Sequence, residues 1–192
     1  MAQKQDQITT PVFRVSFPAV FEPTHMDKNA AEKDKRYKIT MIFDKKTDIS
    51  SLKKIALDAA VGKWGADKTK WPKGMNKTFR DGAEKDTDGF GDGVIFCSAT
   101  SKMRPGLVDG DTQPIIDQSE FYGGCYARAT VTAFAYVFGK QGVTFGLRNI
   151  QKVKDGEPFS GRAKAEDDFD SIKAPANDSA DSADADLSDM GL

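Results

Sequence analysis

Two cysteines and a single histidine leave this 192-residue chain with almost none of the side chains that build zinc sites and nucleophilic catalysts. Cys97 and Cys125 stand far apart in apolar, strand-like runs, and His25 lies in a charged stretch before Lys28, so no metal-ligand spacing exists. The two thiols read as buried in a reducing compartment, with a disulfide as the alternative. His25 reads as a solvated side chain. No Gly-x-x-x-x-Gly-Lys phosphate loop occurs. The nearest approach to a calcium loop, Asp86 to Asp92, puts Phe90 at its fifth position and Cys97 where the twelfth calls for glutamate, so it reads as a flexible turn. Carboxylates are plentiful, yet none has a sequence context that would shift its pKa. These gaps argue against an enzyme and against any metal or cofactor. No run approaches the roughly 18 apolar residues of a membrane-spanning helix. The opening, Met1 to Gln7, is polar and lacks a signal-length apolar stretch, so a soluble, cytoplasmic protein is expected.

Net charge is also nearly absent, at −1, but this balance conceals two opposed halves. Residues 165–192 carry nine acidic side chains and one base, Lys173, a charge of −8. Residues 1–164 hold the remaining 27 bases against 20 acids, a charge of +7. A cationic body with an acidic appendage fits a polyanion-binding protein whose own tail competes for the cationic surface. The plainer reading is that both blocks are simply solvated.

The chain divides into an expected flexible arm at residues 1–10, a globular domain at 11–164 and an acidic, disordered tail at 165–192. In the domain, Val12 to Phe17 alternates as a strand, with Phe13, Val15 and Phe17 on one face. Pro18 and Pro23 frame a turn, 27–35 is a charged loop, and Tyr37 to Phe43 forms a second strand. One helix is expected from Ser50 to Lys63. Leu52, Ile55, Ala56, Ala59 and Ala60 recur at helical spacing, Asp48 or Ser50 can cap its start, and Gly65 can end it. A long basic irregular stretch, Lys63 to Glu84, follows, and then an Asp- and Gly-rich turn over 82–93. Val94 to Ser101 is a strand, Pro105-Gly106 a turn, and Phe121 to Phe138 a long β run broken at Gly123-Gly124. A hairpin turn over 139–142 leads into Val143 to Val153. About five strands, one helix and no βαβ rhythm predict a small closed or half-closed barrel.

Single-strand binders combine cations for phosphates with exposed ring faces for bases, and both occur here interleaved. Lys35 to Lys85 contains fourteen bases and six acids, with Trp64, Trp71 and Phe79 among them. In the run Cys125 to Phe138, odd positions are small and apolar. Even positions carry Tyr126, Arg128, two threonines, Phe134, Tyr136 and Phe138. Phe134 and Phe138 read as core; Tyr126, Arg128 and Tyr136 read as outward. The candidate stacking residues are therefore Trp64, Trp71, Tyr126 and Tyr136. The candidate phosphate contacts are Lys70, Lys73, Arg80, Arg104, Arg128 and Arg148. Trp64 also ends the apolar stripe of the helix, so a core role stands beside the stacking one.

Several stretches together resemble the single-stranded-DNA-binding proteins of tailed bacteriophages, first known only as a domain of unknown function. They are Phe13-Arg-Val-Ser-Phe-Pro18, Lys63-Trp-Gly65, Arg80-Asp-Gly82, Pro105-Gly106, Glu120-Phe-Tyr-Gly-Gly-Cys-Tyr126, Gly142-Val143, Gly146-Leu-Arg-Asn-Ile-Gln-Lys-Val153 and Asp155-Gly-Glu157. The blocks around Tyr122 and Gln151 are the specific ones, and the matches span residues 11 to 162. The resemblance implies an OB-fold barrel, sequence-independent binding of single-stranded DNA, a role in phage replication or recombination, and no catalysis.

The tail is similar in kind to those of replication single-strand binders, in which acidic residues precede a hydrophobic end. Here Asp184, Asp186 and Asp189 lead into Met190 and Leu192, without a terminal aromatic residue. The expected partners are single-stranded DNA and, through this tail, replication or recombination proteins. Two other classes compete: a β-rich structural or assembly protein of the virion, and a nuclease using the Asp81–Asp92 loop to hold metal.

Overall fold

Alternation of apolar and polar residues is obeyed along most of the strands, and the barrel follows from it. The computed structural model describes residues 6–25, 34–137 and 139–159. Its strands are β1 (Ile8–Thr9), β2 (Phe13–Thr24), β3 (Arg36–Asp44), β4 (Arg80–Asp81), β5 (Val94–Ser101), β6 (Gly106–Val108), β7 (Tyr126–Tyr136) and β8 (Gly142–Lys154), with one α-helix, α1 (Ser50–Trp64). Five strands close on themselves: β2 pairs β3, β3 pairs β5, β5 pairs β8, β8 pairs β7, and β7 returns to β2. All these pairings are antiparallel except β5 with β8. Closure leaves only short strands at the margins. The two-residue β1 lies on β7, β6 runs parallel to β8, and β4 lies on β5.

The interior is filled by one residue in two from each strand. Phe13 and Val15, Ile39, Met41 and Phe43, Cys97 and Ala99, Ala127, Ala129 and Val131, and Phe145 and Leu147 are all buried in one cluster. Burying a side chain of this size stabilises by about 1.5–3 kcal/mol. Small residues on β7 offset the large ones opposite. α1 packs on β7 and β8 through Leu52, Ile55, Ala56 and Ala60, the stripe read from its spacing. The Asp48 carboxylate accepts from the Ser50 amide at 2.9 Å, and Gly65 ends the helix at φ 84°, a backbone suited to glycine. Both cysteines are free and buried, and burial pushes the thiol of each above its ordinary pKa. Among the described residues, no helix is long and apolar enough to cross a membrane.

Several expectations need correction. β2 does not stop at Phe17 but runs on through Pro18 and Pro23, which were expected to frame a turn. Its register against β3 shifts between Ser16 and Ala19 and again before Thr24, and such irregularities leave positions where a proline's missing N–H costs nothing. The first shift also reverses the alternation: Ser16 is buried and Phe17 is 50% exposed. Pro105-Gly106 leads into β6 rather than a simple turn. The run from Phe121 is a strand only over Tyr126–Tyr136, with a 3-10 turn at Gln118–Glu120 before it. Within the arm expected at 1–10, Ile8 and Thr9 pair with Val131 and Thr130, and the Ala129 amide donates to the Thr10 hydroxyl at 3.0 Å. Phe138 and the tail residues Asp184, Asp186, Asp189, Met190 and Leu192 lie outside the described residues.

Candidate nucleic-acid interface

The outer surface of β2, β3 and β5 carries an open groove of about 500 Å³. β3 contributes Lys38 and Thr40, and β5 contributes Phe96 and Ser98. Each of these pairs is one residue in two, the half of the alternation that faces away from the core. β2 contributes Phe17, lifted into solvent by a backbone at φ 45°. The left-handed region is unusual for a bulky side chain and costs of order 1–3 kcal/mol where it is imposed.

The Asp- and Gly-rich loop completes the groove. The Lys45 ammonium pairs with Asp81 at 2.8 Å, and the Asp81 carboxylate accepts from the Ala83 amide at 3.0 Å, which pins the start of the loop to the end of β3. These donors, the Lys45 contact foremost, hold the Asp81 carboxyl below the usual carboxylate range. The loop then delivers Lys85 and Phe90. The Lys85 ammonium lies 4.1 Å from the Phe17 ring centre, 4.7 Å from that of Phe90 and 5.7 Å from that of Phe96. Phe90 meets Phe96 edge-on at 4.9 Å. From β4, the Arg80 guanidinium stands 5.0 Å from the Phe96 ring centre and donates through Nε to Glu84 at 3.1 Å. Burial first, then the neighbouring charges of Lys38 and Arg80, hold Lys85 below the ordinary lysine value. Among the described residues the lining contains Lys38, Arg80, Lys85 and His25 and no carboxylate. Like charges held together against aromatic faces are stabilised by an added anion, and flat rings beside them suit a base.

Of the residues expected from the sequence, Arg80 alone lines this groove. Arg104 and Arg148 line a second one on the faces of β5, β7 and β8. Trp64 and Trp71 meet each other at 6.1 Å beyond the end of α1 and are packed against the core, with the Trp71 indole N–H donating to the Gly65 carbonyl at 2.9 Å. Lys70 is exposed beside Asp67 at 3.7 Å, and Lys73 is exposed in the same loop. Tyr126 is half-buried under Lys154, whose ammonium is 4.6 Å from its ring centre. Arg128 faces outward, as read, and donates to Gln151 at 2.8 Å. The Tyr136 hydroxyl accepts from Asn76 at 2.9 Å. Phe134, expected in the core, is half-buried and lines the second groove.

Phe17, Lys38, Lys85, Phe90 and Phe96 were missed. The proline after Phe17 was a signal that the alternation could break there. For Lys85 the sequence offered nothing.

The end of the described chain returns to this region. Arg14 donates to the carbonyls of Gly124 at 3.2 Å and Glu157 at 2.8 Å, and its guanidinium lies 4.3 Å from the Phe159 ring centre. The Phe159 amide donates to the Gly123 carbonyl at 2.9 Å. Its ring occupies the space a side chain at Gly89 would need, next to Phe90.

A closed barrel in the order first, second, third, fifth, fourth strand, grooved along its second and third strands, defines the OB class, whose oligonucleotide ligands take that face. Within that class, the chain belongs to the family described as Enterobacter phage Enc34, ssDNA-binding protein, whose model matches residues 6–183. It is 32% identical over 175 residues to protein p50 of Acyrthosiphon pisum secondary endosymbiont phage 1, over 83% of this chain and 90% of that relative. Among solved structures it is similar to the single-stranded DNA-binding protein of bacteriophage Enc34 in complex with ssDNA, with a TM-score of 0.64, 22% identity, and coverage of 80% of this chain and 89% of that one. It is also similar to gp2.5, a single-stranded DNA-binding protein encoded by bacteriophage T7, with a TM-score of 0.54, 16% identity, and coverage of 85% and 99%. At those identities the structural likeness speaks for the fold.

Proposed function

We propose that this chain binds single-stranded DNA with little base preference, in the host cytoplasm, during phage DNA replication or recombination. The strand crosses the outer face of β3 and β5 in the groove between Phe17 and Phe96. One observation carries this reading: Lys38, Arg80 and Lys85 stand around the exposed Phe17 ring and the edge of the buried Phe96 in an open groove that, among the described residues, no carboxylate lines. Phosphates relieve the repulsion among the cations, and bases stack on Phe17 whatever their identity. Arg104 and Arg148 extend the cationic surface. Trp64, Trp71, Tyr126 and Tyr136 serve mainly in packing.

Residues 165–192, at −8, compete with DNA for the cationic groove. Phe159 beside Gly89 brings the chain to the edge of the groove, so the tether is short and the local concentration of acidic groups high. When DNA displaces the tail, Met190 and Leu192 become available to a replication or recombination protein.

The test is fluorescence anisotropy of labelled oligo-dT and of duplex DNA at two salt concentrations. Single strands should bind more tightly than duplex. The logarithm of affinity should fall with the logarithm of salt at a slope near −2 from three phosphates in this groove, since each contributes about 0.7 on single strands. Removing residues 170–192 should tighten binding, most at low salt where screening is weakest. Equal or tighter binding of duplex by the full chain would overturn the single-strand reading. Unchanged affinity after truncation would overturn the competition.

A further inference from the structure

Beside the first groove lies a second, of about 530 Å³, on the outer faces of β5, β8 and β7. Its floor is laid by the outward half of each alternation: Thr100 of β5, Gly146 of β8, and Thr132 and Phe134 of β7. Gly146 is what keeps it open. A Cβ there would stand 2.8 Å from the Thr132 hydroxyl and 3.6 Å from the Phe134 ring, so any side chain would cover the ring that glycine leaves uncovered. The rim is cationic, with Lys102 and Arg104 from the turn after β5 and Arg148 from β8. Among the described residues no carboxylate lines the groove. Among the described residues none of these three cations forms an ion pair, whereas Arg80 in the first groove is held by Glu84. Arg104 is poised by ring contact alone, its guanidinium 5.7 Å from the Phe21 ring centre.

The two grooves share a wall. Lys38 of the first and Thr100 of the second are direct register partners across β3 and β5, and Ser98 and Thr100 sit two apart on one face of β5. With strands about 4.8 Å apart and about 3.3 Å of rise per residue, the two floors lie roughly 10 Å from one another, a step that a single strand can make continuously.

We propose that the groove formed by Lys102, Arg104 and Arg148 around Phe134 and Gly146 is a second single-strand subsite. It takes the nucleotides that follow those in the first groove, with phosphates on the two arginines and a base against the Phe134 ring. The proposal rests on the single-strand reading of the first groove and adds to it a path and a longer footprint. Duplex DNA cannot follow such a path with its bases paired, so the second groove also favours single strands.

The test uses the full chain and a series of oligo-dT from about four to about sixteen nucleotides, the span of site sizes seen for such folds. It compares the natural protein with Arg148→Gln and with the double variant Arg104→Gln/Arg148→Gln. Arg148 is exposed, so its replacement should leave the circular dichroism and melting of the protein unchanged. The shortest oligomers should bind all three proteins alike. Long oligomers should bind Arg148→Gln about tenfold and the double variant about a hundredfold less tightly, because charged hydrogen bonds of this kind contribute about a factor of ten each when well formed. The salt slope for long oligomers should shrink by about 1.4, two phosphates' worth on single strands. As an independent readout, 4-thiothymidine placed along a long oligomer should crosslink to peptides from both grooves. Failure of the natural protein to bind any oligomer would sink the single-strand reading itself. If the natural protein binds and the double variant matches it at every length, or loses affinity equally at the shortest, there is no separate second subsite.

Discussion

Two clusters of rings and cations lie on this chain, and they differ in what their rings are committed to. At the end of α1, Trp64 and Trp71 face each other, the Trp71 indole is hydrogen-bonded to Gly65, and both rings rest on the core. On the barrel face, Lys85 stands over Phe17, Phe90 and Phe96, Phe90 meets Phe96 edge-on, and Phe17 is left exposed. The first cluster is the denser in sequence, and only the second leaves a ring, Phe17, exposed. Local abundance of lysine and tryptophan therefore marks where a loop needs anchoring. A binding surface is marked by rings brought from distant strands onto an outward face.

The sharpest way to break this contrast is to remove a ring from each cluster. Trp64→Ala should lower the stability of the protein by about 2–3 kcal/mol in chemical denaturation, since it empties packed volume. The affinity of the folded fraction for oligo-dT should be nearly unchanged. If it instead abolished binding without loss of stability, the tryptophan pair would be the stacking site after all.

Phe17→Gly should do the reverse. Glycine tolerates the φ of 45° that Phe17 endures, so thermal stability should hold or rise, while affinity for single strands falls by about 1–3 kcal/mol for the lost stack. Loss of stability without loss of affinity would place Phe17 among the packing residues.

A smaller effect is expected at Lys85. Lys85→Met keeps the apolar stem against the rings but removes the charge, so affinity should drop and the salt slope should shrink by about 0.7. An unaltered slope would mean that the ammonium never meets a phosphate. The smallest effect is expected at Glu84, whose carboxyl Lys77 and Arg80 together hold below the usual glutamate range. At neutral pH it is ionised and engages Arg80; as pH falls through its lowered pKa, it is protonated and Arg80 is released. DNA affinity should therefore rise modestly on acidification in the natural protein. Glu84→Gln should show the raised affinity already at neutral pH and no further gain in acid. A titration with identical pH profiles for both proteins would remove Arg80 from the DNA contact.

The barrel was readable because its strands are long and strictly alternating. On β7 the odd residues Ala127, Ala129 and Val131 are buried and Arg128 points outward, as period two requires. The stripe of α1 and its glycine stop were equally plain. The failures fall where alternation is interrupted. A register shift inside β2 turned Phe17 outward, and a parallel pairing with β8 made a strand of Gly106–Val108, which carries no pattern of its own. Of the candidate DNA contacts, alternation placed Tyr126, Arg128 and Tyr136 outward, and of these Arg128 is exposed while the two tyrosines are half-buried. The tryptophans could not be placed, because a half-buried helix end and a stacking platform draw on the same residue types.

Composition and period thus determined by themselves that this chain builds a β-barrel with one helix, and that its body is cationic and its last residues acidic. Those properties are sums and local repeats, which survive without knowledge of what lies opposite. Tertiary structure alone decided which rings meet which cations. Phe17, Lys85 and Phe96 come from three separate segments, and only closure of β2, β3 and β5 with the loop pinned at Asp81 sets Lys85 within 4.1 Å of one ring centre and 5.7 Å of the other. A binding face of this kind is a relation between distant residues, fixed by strand register and by the left-handed backbone at Phe17, and neither is written in any one stretch of sequence.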